Sequence, residues 1–282
     1  MLELNDFCIN RCCAGGLSLP DFVKLANDVG VHNIELRTDI HHGSNFLDDL
    51  SIAEFNNLQR NYDVHVANIS AEFNLDDRSD LNTKLKGVFE LAEIAQKIGA
   101  DHILFTPIRN ADDIRTDEQK FDDLVHNIRI YSDILGTVGV NGLIEPLGFG
   151  DSSLRFPWVA QKVLQEADAK NFKLIADTFH YYKAEVTKDD FDEKVDVSRV
   201  GLIHLSSITS QKSPEEADDA DRYFISTNEE DVMRSIEQAN WFKESNYFGL
   251  YSFEPCAPEI NNWNYDKCKQ EIADSIDKII AG

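Results

Sequence analysis

Gly142-Leu143-Ile144-Glu145, followed after a helical segment by Leu174-Ile175-Ala176-Asp177, displays the repeating unit of this chain: a short apolar run that stops on an acid. The unit recurs in both directions. Candidate strands are Glu3–Ile9, Asn33–Arg37, Val64–Ile69, His102–Thr106, Gly142–Glu145, Lys173–Asp177, Val200–His204 and Tyr247–Glu254. Their alternation with segments of helical period argues for parallel strands covered by helices. Ser18-Leu-Pro-Asp21 opens the first helix with a serine cap and an early proline, and Gly30 closes it. Asp80–Ile98 carries apolar residues at helical spacing and stops at Gly99; Thr116–Leu135 and Asn228–Phe242 repeat the pattern. Eight units at roughly 35 residues each predict an α/β fold of one domain over residues 1–282, a single (β/α)8 TIM barrel. An open doubly wound sheet is the alternative, but no GxGxxG follows the first strand to cradle a dinucleotide. Thr209–Asp221 reads as a long loop after strand seven, over the face where such barrels bind substrates.

The chain has 282 residues, with 27 Lys and Arg against 51 Asp and Glu, a formal charge of −24. A polyphosphate partner requires a basic footprint, so nucleic acid is excluded as the expected partner. Hydrophobic residues make up 42%, enough for a large core and unlike a disordered acidic chain. No apolar run approaches the roughly 20 residues that span a bilayer, and the first residues lack a basic segment followed by an apolar one. The five cysteines, at 8, 12, 13, 256 and 268, form no CxxC pair. A cytoplasmic protein with reduced thiols and no membrane partner is expected.

The last four strands end on Glu145, Asp177, His204 and Glu254. All strand ends of a parallel barrel meet at one rim, so these side chains should converge. Taken singly, each marks where a buried strand meets water. Together, three crowded carboxylates would repel one another and suffer desolvation unless a cation neutralised them. The mixed O/N set suits one divalent ion, Mn²⁺, Zn²⁺, Co²⁺ or Mg²⁺. His180, three residues past Asp177, would lean over the same rim and donate to a substrate oxygen, or sit as a loop histidine. Arg222 would clamp a substrate oxygen through its planar fork, or pair with the acidic loop around it. Glu35 and Arg37 both face the barrel interior by alternation, as a buried ion pair or as substrate contacts. His41-His42-Gly43 reads as solvated loop and Cys8, Cys12 and Cys13 as half-buried thiols. Phe7, Phe73, Phe105, Phe149, Phe179 and Trp263 fall near strand ends, as packing or as a wall against water.

With these residues in place, the chain resembles the xylose isomerase-like TIM-barrel superfamily of sugar isomerases and epimerases, most closely its keto-inositol (inosose) isomerases. Asn10, Ile34-Glu-Leu-Arg-Thr38, Glu145-Pro146, Asp177-Thr-Phe-His180, Ile203-His204 and Phe253-Glu254-Pro255 carry the resemblance over nearly the whole chain. It implies metal ligands at Glu145, Asp177, His204 and Glu254, substrate-binding roles for His180 and Arg222, and Glu145 and Glu254 as the proton-transfer pair. The implied reaction is isomerisation of a polyhydroxy ketone or ketose, 2-keto-myo-inositol foremost, through a cis-enediolate in inositol catabolism. A dehydratase starting from the same enolisation is the alternative, then a noncatalytic sugar-binding barrel. The superfamily's abasic-site endonucleases conflict with the charge and the few histidines. In one departure, Tyr-Phe-Ile-Ser-Thr follows Arg222 where relatives carry a Pro-Gly turn. Barrels of this kind often form homo-oligomers, although no exposed apolar stripe is readable.

Overall fold

Eight short strands ring the centre of a computed structural model that describes residues 2–79 and 81–282, without the side chains of residues 71–73. They are β1 (Phe7–Asn10), β2 (Asn33–Arg37), β3 (His65–Asn74), β4 (His102–Thr106), β5 (Asn141–Ile144), β6 (Phe172–Asp177), β7 (Val200–Leu205) and β8 (Leu250–Phe253). Each pairs in parallel with the next, and β1 pairs with β8, Ile9 against Phe253, closing the sheet. The fold is a single (β/α)8 TIM barrel. Around it lie α1 (Leu19–Asp28), α2 (Ile52–Tyr62), α3 (Leu81–Ile98), α4 (Asp117–Val138), α5 (Pro157–Ala167), α6 (Thr178–Lys183), α7 (Lys188–Lys194), α8 (Ser235–Glu244) and α9 (Tyr265–Ala281). No helix among the described residues is long and apolar enough to cross a membrane.

Alternation along the strands sorts side chains into two layers. Ile103, Ile144, Ala176, Ile203 and Tyr251 join the large core between strands and helices. Their neighbours Leu104, Leu143, Ile175 and Leu202 form a separate small cluster, the apolar plug inside the barrel, with Leu250 against it. Two residues beyond Leu143, Ile175 and Leu202, on the same strand faces, come Glu145, Asp177 and His204. Glu254 shares its face with Leu250 and Ser252. The period of two therefore delivers all four side chains to the inside of one rim.

The Ser18 side chain caps α1 by accepting from the Asp21 amide, and Gly30, at φ +76°, follows the helix in the left-handed region. Thr116 caps α4 in a reciprocal capping box with Gln119. The predicted start of α3 at Asp80 lies outside the described residues.

Several boundaries differ from expectation, β3 running on to Asn74 instead of stopping at Ile69, and three of the differences have a local cause. Glu3 does not begin a strand: its amide donates to Asp6 Oδ2 at 2.8 Å, curling Leu4–Asp6 into a 3₁₀ turn before β1. β8 begins at Leu250 because Asn246 turns through φ +58° and the Tyr247 amide bonds back to Phe242 O at 3.0 Å. The helix expected from Asn228 begins at Ser235. Buried Asp231 draws the intervening segment inward, accepting from the amides of Ile208 (3.0 Å), Met233 (3.0 Å) and Ser235 (2.9 Å) and from Ser207 Oγ (2.9 Å).

Candidate metal centre and substrate cavity

Glu145, Asp177, His204 and Glu254 are buried, and one ligand-type atom from each lies within 4.8 Å of the others. His204 Nδ1 faces the acids, 2.9 Å from Glu145 Oε1, 3.1 Å from Glu254 Oε2 and 3.9 Å from Asp177 Oδ2. Strand register contributes directly, since Asp177 is the β-partner of His204. The local backbone also aims the aspartate: Asp177 Oδ1 accepts from the Phe179 amide at 2.7 Å, capping α6.

Arg222 joins this cluster from the loop after β7. Its Nη2 donates to Asp177 Oδ2 at 2.7 Å and Glu254 Oε2 at 2.9 Å, its Nε to Ser206 Oγ at 3.1 Å, and its guanidinium lies 4.8 Å from the Phe179 ring centre. A 3.4 Å contact to Asp219 ties it to the acidic loop as well. Arg37 Nη1 donates to the other Glu254 oxygen at 3.1 Å, and its remaining nitrogens grip Asp39. Of the two readings open for Glu35 and Arg37, the mutual ion pair is not formed, and Arg37 alone lines the cavity described below. Glu35 instead lies fully buried against His204 Nε2 at 3.2 Å, because alternation puts it two residues deeper than Arg37.

The electrostatics show surplus negative charge. Burial raises the Glu145 carboxyl above its usual range, although His204 opposes the shift. Burial, together with the charges of Glu145 and Glu254, pushes Asp177 up to about 7 despite Arg222. Burial would raise Glu254 too, but His204, Arg222 and Arg37 outweigh it and hold that group well below the carboxylate range. The cluster has ligand types, spacing and excess negative charge that fit a divalent cation, whose added charge would let every carboxylate ionise.

Above the cluster opens a cavity of about 340 Å³, lined by Arg37, Asp39, Arg109, Phe149, His180 and Arg222 among others. Charged groups, Glu145, Glu254 and Arg222 among them, line it together with apolar Leu104, Leu147 and Phe149, so a small polar molecule would meet both kinds of surface. His180 is 4% exposed and its Nδ1 has no hydrogen-bond partner. Burial and the nearby Arg222 charge depress its pKa well below the histidine range, leaving a neutral imidazole. Ser70 Oγ, also at the cavity, is likewise unpartnered.

A family model described as xylose isomerase-like TIM barrel matches residues 23–280. The chain belongs to that family. A solved xylose isomerase domain-containing protein from Salmonella typhimurium LT2 is 30% identical to this xylose isomerase-like barrel, with 99% of each chain covered and a TM-score of 0.91. The IolI protein with a bound zinc atom is 17% identical, with 98% of each chain covered and a TM-score of 0.86. D-psicose 3-epimerase from Clostridium cellulolyticum H10, solved with D-tagatose, is 13% identical, covering 96% of this chain and 97% of its own, with a TM-score of 0.72. No curated protein sequence matches the chain.

This xylose isomerase-like barrel thus brings together the six residues that the resemblance implied for metal and substrate: the quartet at the rim, with His180 and Arg222 beside it. Of the aromatics, Phe149 lines the cavity, packing edge-on to Phe179 at 5.7 Å and beneath Arg109 at 3.3 Å. Phe7 and Phe105 face the outer core, and Trp263 stacks on Phe224; the Phe73 side chain lies outside the described residues. Cys8, Cys12 and Cys13 are buried, not half-buried, because Cys8 lies in β1 and the others in the 3₁₀ turn Arg11–Ala14, an element buried along its whole length. Sequence reading missed Arg109 at the cavity and the contact of Glu35 with His204. Arg109's signal was its place three residues past β4, the same rim that supplies the quartet.

Proposed function

We propose that the protein is a divalent-metal-dependent isomerase of a polyhydroxy ketone, with 2-keto-myo-inositol (inosose) as the foremost substrate, acting in the cytoplasm in inositol catabolism. One observation carries this reading: two glutamates, an aspartate and a histidine buried within 4.8 Å of one another beneath a sugar-sized cavity. Family membership supports the isomerase class, and its low-identity neighbours share the fold.

Glu145, Asp177, His204 and Glu254 would hold Mn²⁺, Zn²⁺, Co²⁺ or Mg²⁺, which when bound supplies Lewis-acid polarisation of a carbonyl and its neighbouring hydroxyl. Glu145 and Glu254 reach the centre from β5 and from the end of β8, two non-adjacent strands. One removes the carbon-bound proton to leave a cis-enediolate, the hydroxyl proton passes to the neighbouring oxygen, and the other glutamate returns a proton to the adjacent carbon. His180, neutral and incompletely hydrogen-bonded, orients a substrate oxygen. Arg222 brings a guanidinium against developing negative charge, and Phe149 and Leu147 exclude water from that side.

Incubation of keto-inositols and ketoses in D₂O tests the reading. Deuterium should enter beside the carbonyl and cease to do so with chelator; no exchange in any of them with metal supplied would defeat it. A dehydratase is the second reading, supported by the shared fold of a probable 3-DHS dehydratase, AsbF, from Bacillus anthracis, 15% identical with a TM-score of 0.76. NMR of the product separates loss of water from rearrangement.

A further inference from the structure

Glu35 is fully buried and does not line the cavity, yet its carboxylate collects four donors. Ser252 Oγ donates to Oε1, Asn10 Nδ2 to Oε1 at 3.4 Å and Asn68 Nδ2 to Oε2 at 2.7 Å, while His204 Nε2 lies at 3.2 Å. Strand pairing builds the cage, with Asn10 beside Glu35 and Glu35 beside Asn68 across β1, β2 and β3. The orientation of Asn10 is set independently, because its Oδ1 accepts from the Cys12 amide at 3.1 Å, which turns its Nδ2 toward Glu35 and Glu254.

We propose that Glu35 is a positioning residue that keeps the proton of His204 on Nε2 and thereby reserves Nδ1 for a metal ion; this rests on the metal-dependent reading above. The imidazole is rigid and has two nitrogens, so fixing one assigns the other. With Nε2 held at Glu35, Nδ1 is the nitrogen that faces Glu145, Asp177 and Glu254. A carboxylate is the side chain that can accept from all four neighbours at once; glutamine, of the same shape, would turn an amide N–H₂ onto groups that themselves donate. Outer carboxylates of this kind tune metal affinity by about 10- to 100-fold.

Calorimetric titration of Mn²⁺ into the full chain and into Glu35→Gln, with thermal melts of both, tests the assignment. The variant should bind Mn²⁺ about 10- to 100-fold more weakly, and a loss below about threefold overturns the proposal. Should Glu35→Gln fail to fold, the unaltered chain decides. In its Zn²⁺ complex, two-bond ¹H–¹⁵N spectra of His204 should place the proton on Nε2 and the zinc-shifted resonance on Nδ1; the reverse assignment overturns it. An unaltered chain that binds neither ion takes down the metal-dependent reading itself, whereas tight binding by both chains removes Glu35's role alone.

Discussion

Glu254 is the most heavily engaged carboxylate of the quartet, bonded to Asn10, Arg37 and Arg222 and 3.1 Å from His204. These contacts keep it ionised in a buried setting, as a proton acceptor or metal ligand requires. Glu254→Gln preserves volume and should lower turnover on the order of a thousandfold while leaving the thermal melt of the fold recognisable. Deuterium exchange and circular dichroism on the same preparation check both halves. Arg222→Lys addresses the neighbouring cation. A single ammonium cannot span Asp177, Glu254 and Ser206 while lying over Phe179, so kcat/KM should fall roughly tenfold to a hundredfold in steady-state assays.

At the scale of elements, polar side chains hold the loops on which the rim depends. Asp231→Ala would strip acceptors from three buried amides and should cost on the order of 3 kcal/mol in urea unfolding. Arg115, in the loop after β4, reaches Asp76 in the loop after β3 and also pairs with Asp113 of its own loop and Asp123 of α4. Its hydrogen bonds hold Asp113 down to about 2. A carboxyl whose folded pKa is depressed contributes stability that is complete above its unfolded value, near 4, and lost as pH falls toward 2. Unfolding midpoints measured between those pH values should therefore decline, and Arg115→Ala should flatten that part of the slope. The same scale explains what the sequence disclosed. Strand parity and terminal acids are local patterns, so the barrel and the convergence of Glu145, Asp177, His204 and Glu254 were legible. The false helical start at Asn228 arose because Asp231 bonds to Ser207 and Ile208, a preference set by tertiary contact and invisible to helical period. Glu35 was misread for a related reason: Asn10, Asn68, Ser252 and His204 are scattered along the chain, and only strand register makes them neighbours.

Across the whole molecule, a formal charge of −24 surrounds a centre that itself carries surplus negative charge. If a divalent ion binds the folded chain and not the unfolded one, Mn²⁺ at about a hundred times its Kd should add about 2.7 kcal/mol of stability. Calorimetric melts with Mn²⁺ and with chelator read that difference directly; coincident melts would contradict the proposed centre. Closure of β1 on β8 has another consequence. Glu254 follows the last strand of the ring and leans on Asn10 at the end of the first. A nascent chain still emerging from the ribosome would therefore hold Glu145, Asp177 and His204 without the fourth partner. The proposed four-ligand centre would be complete only once the first and last strands of the ring have met.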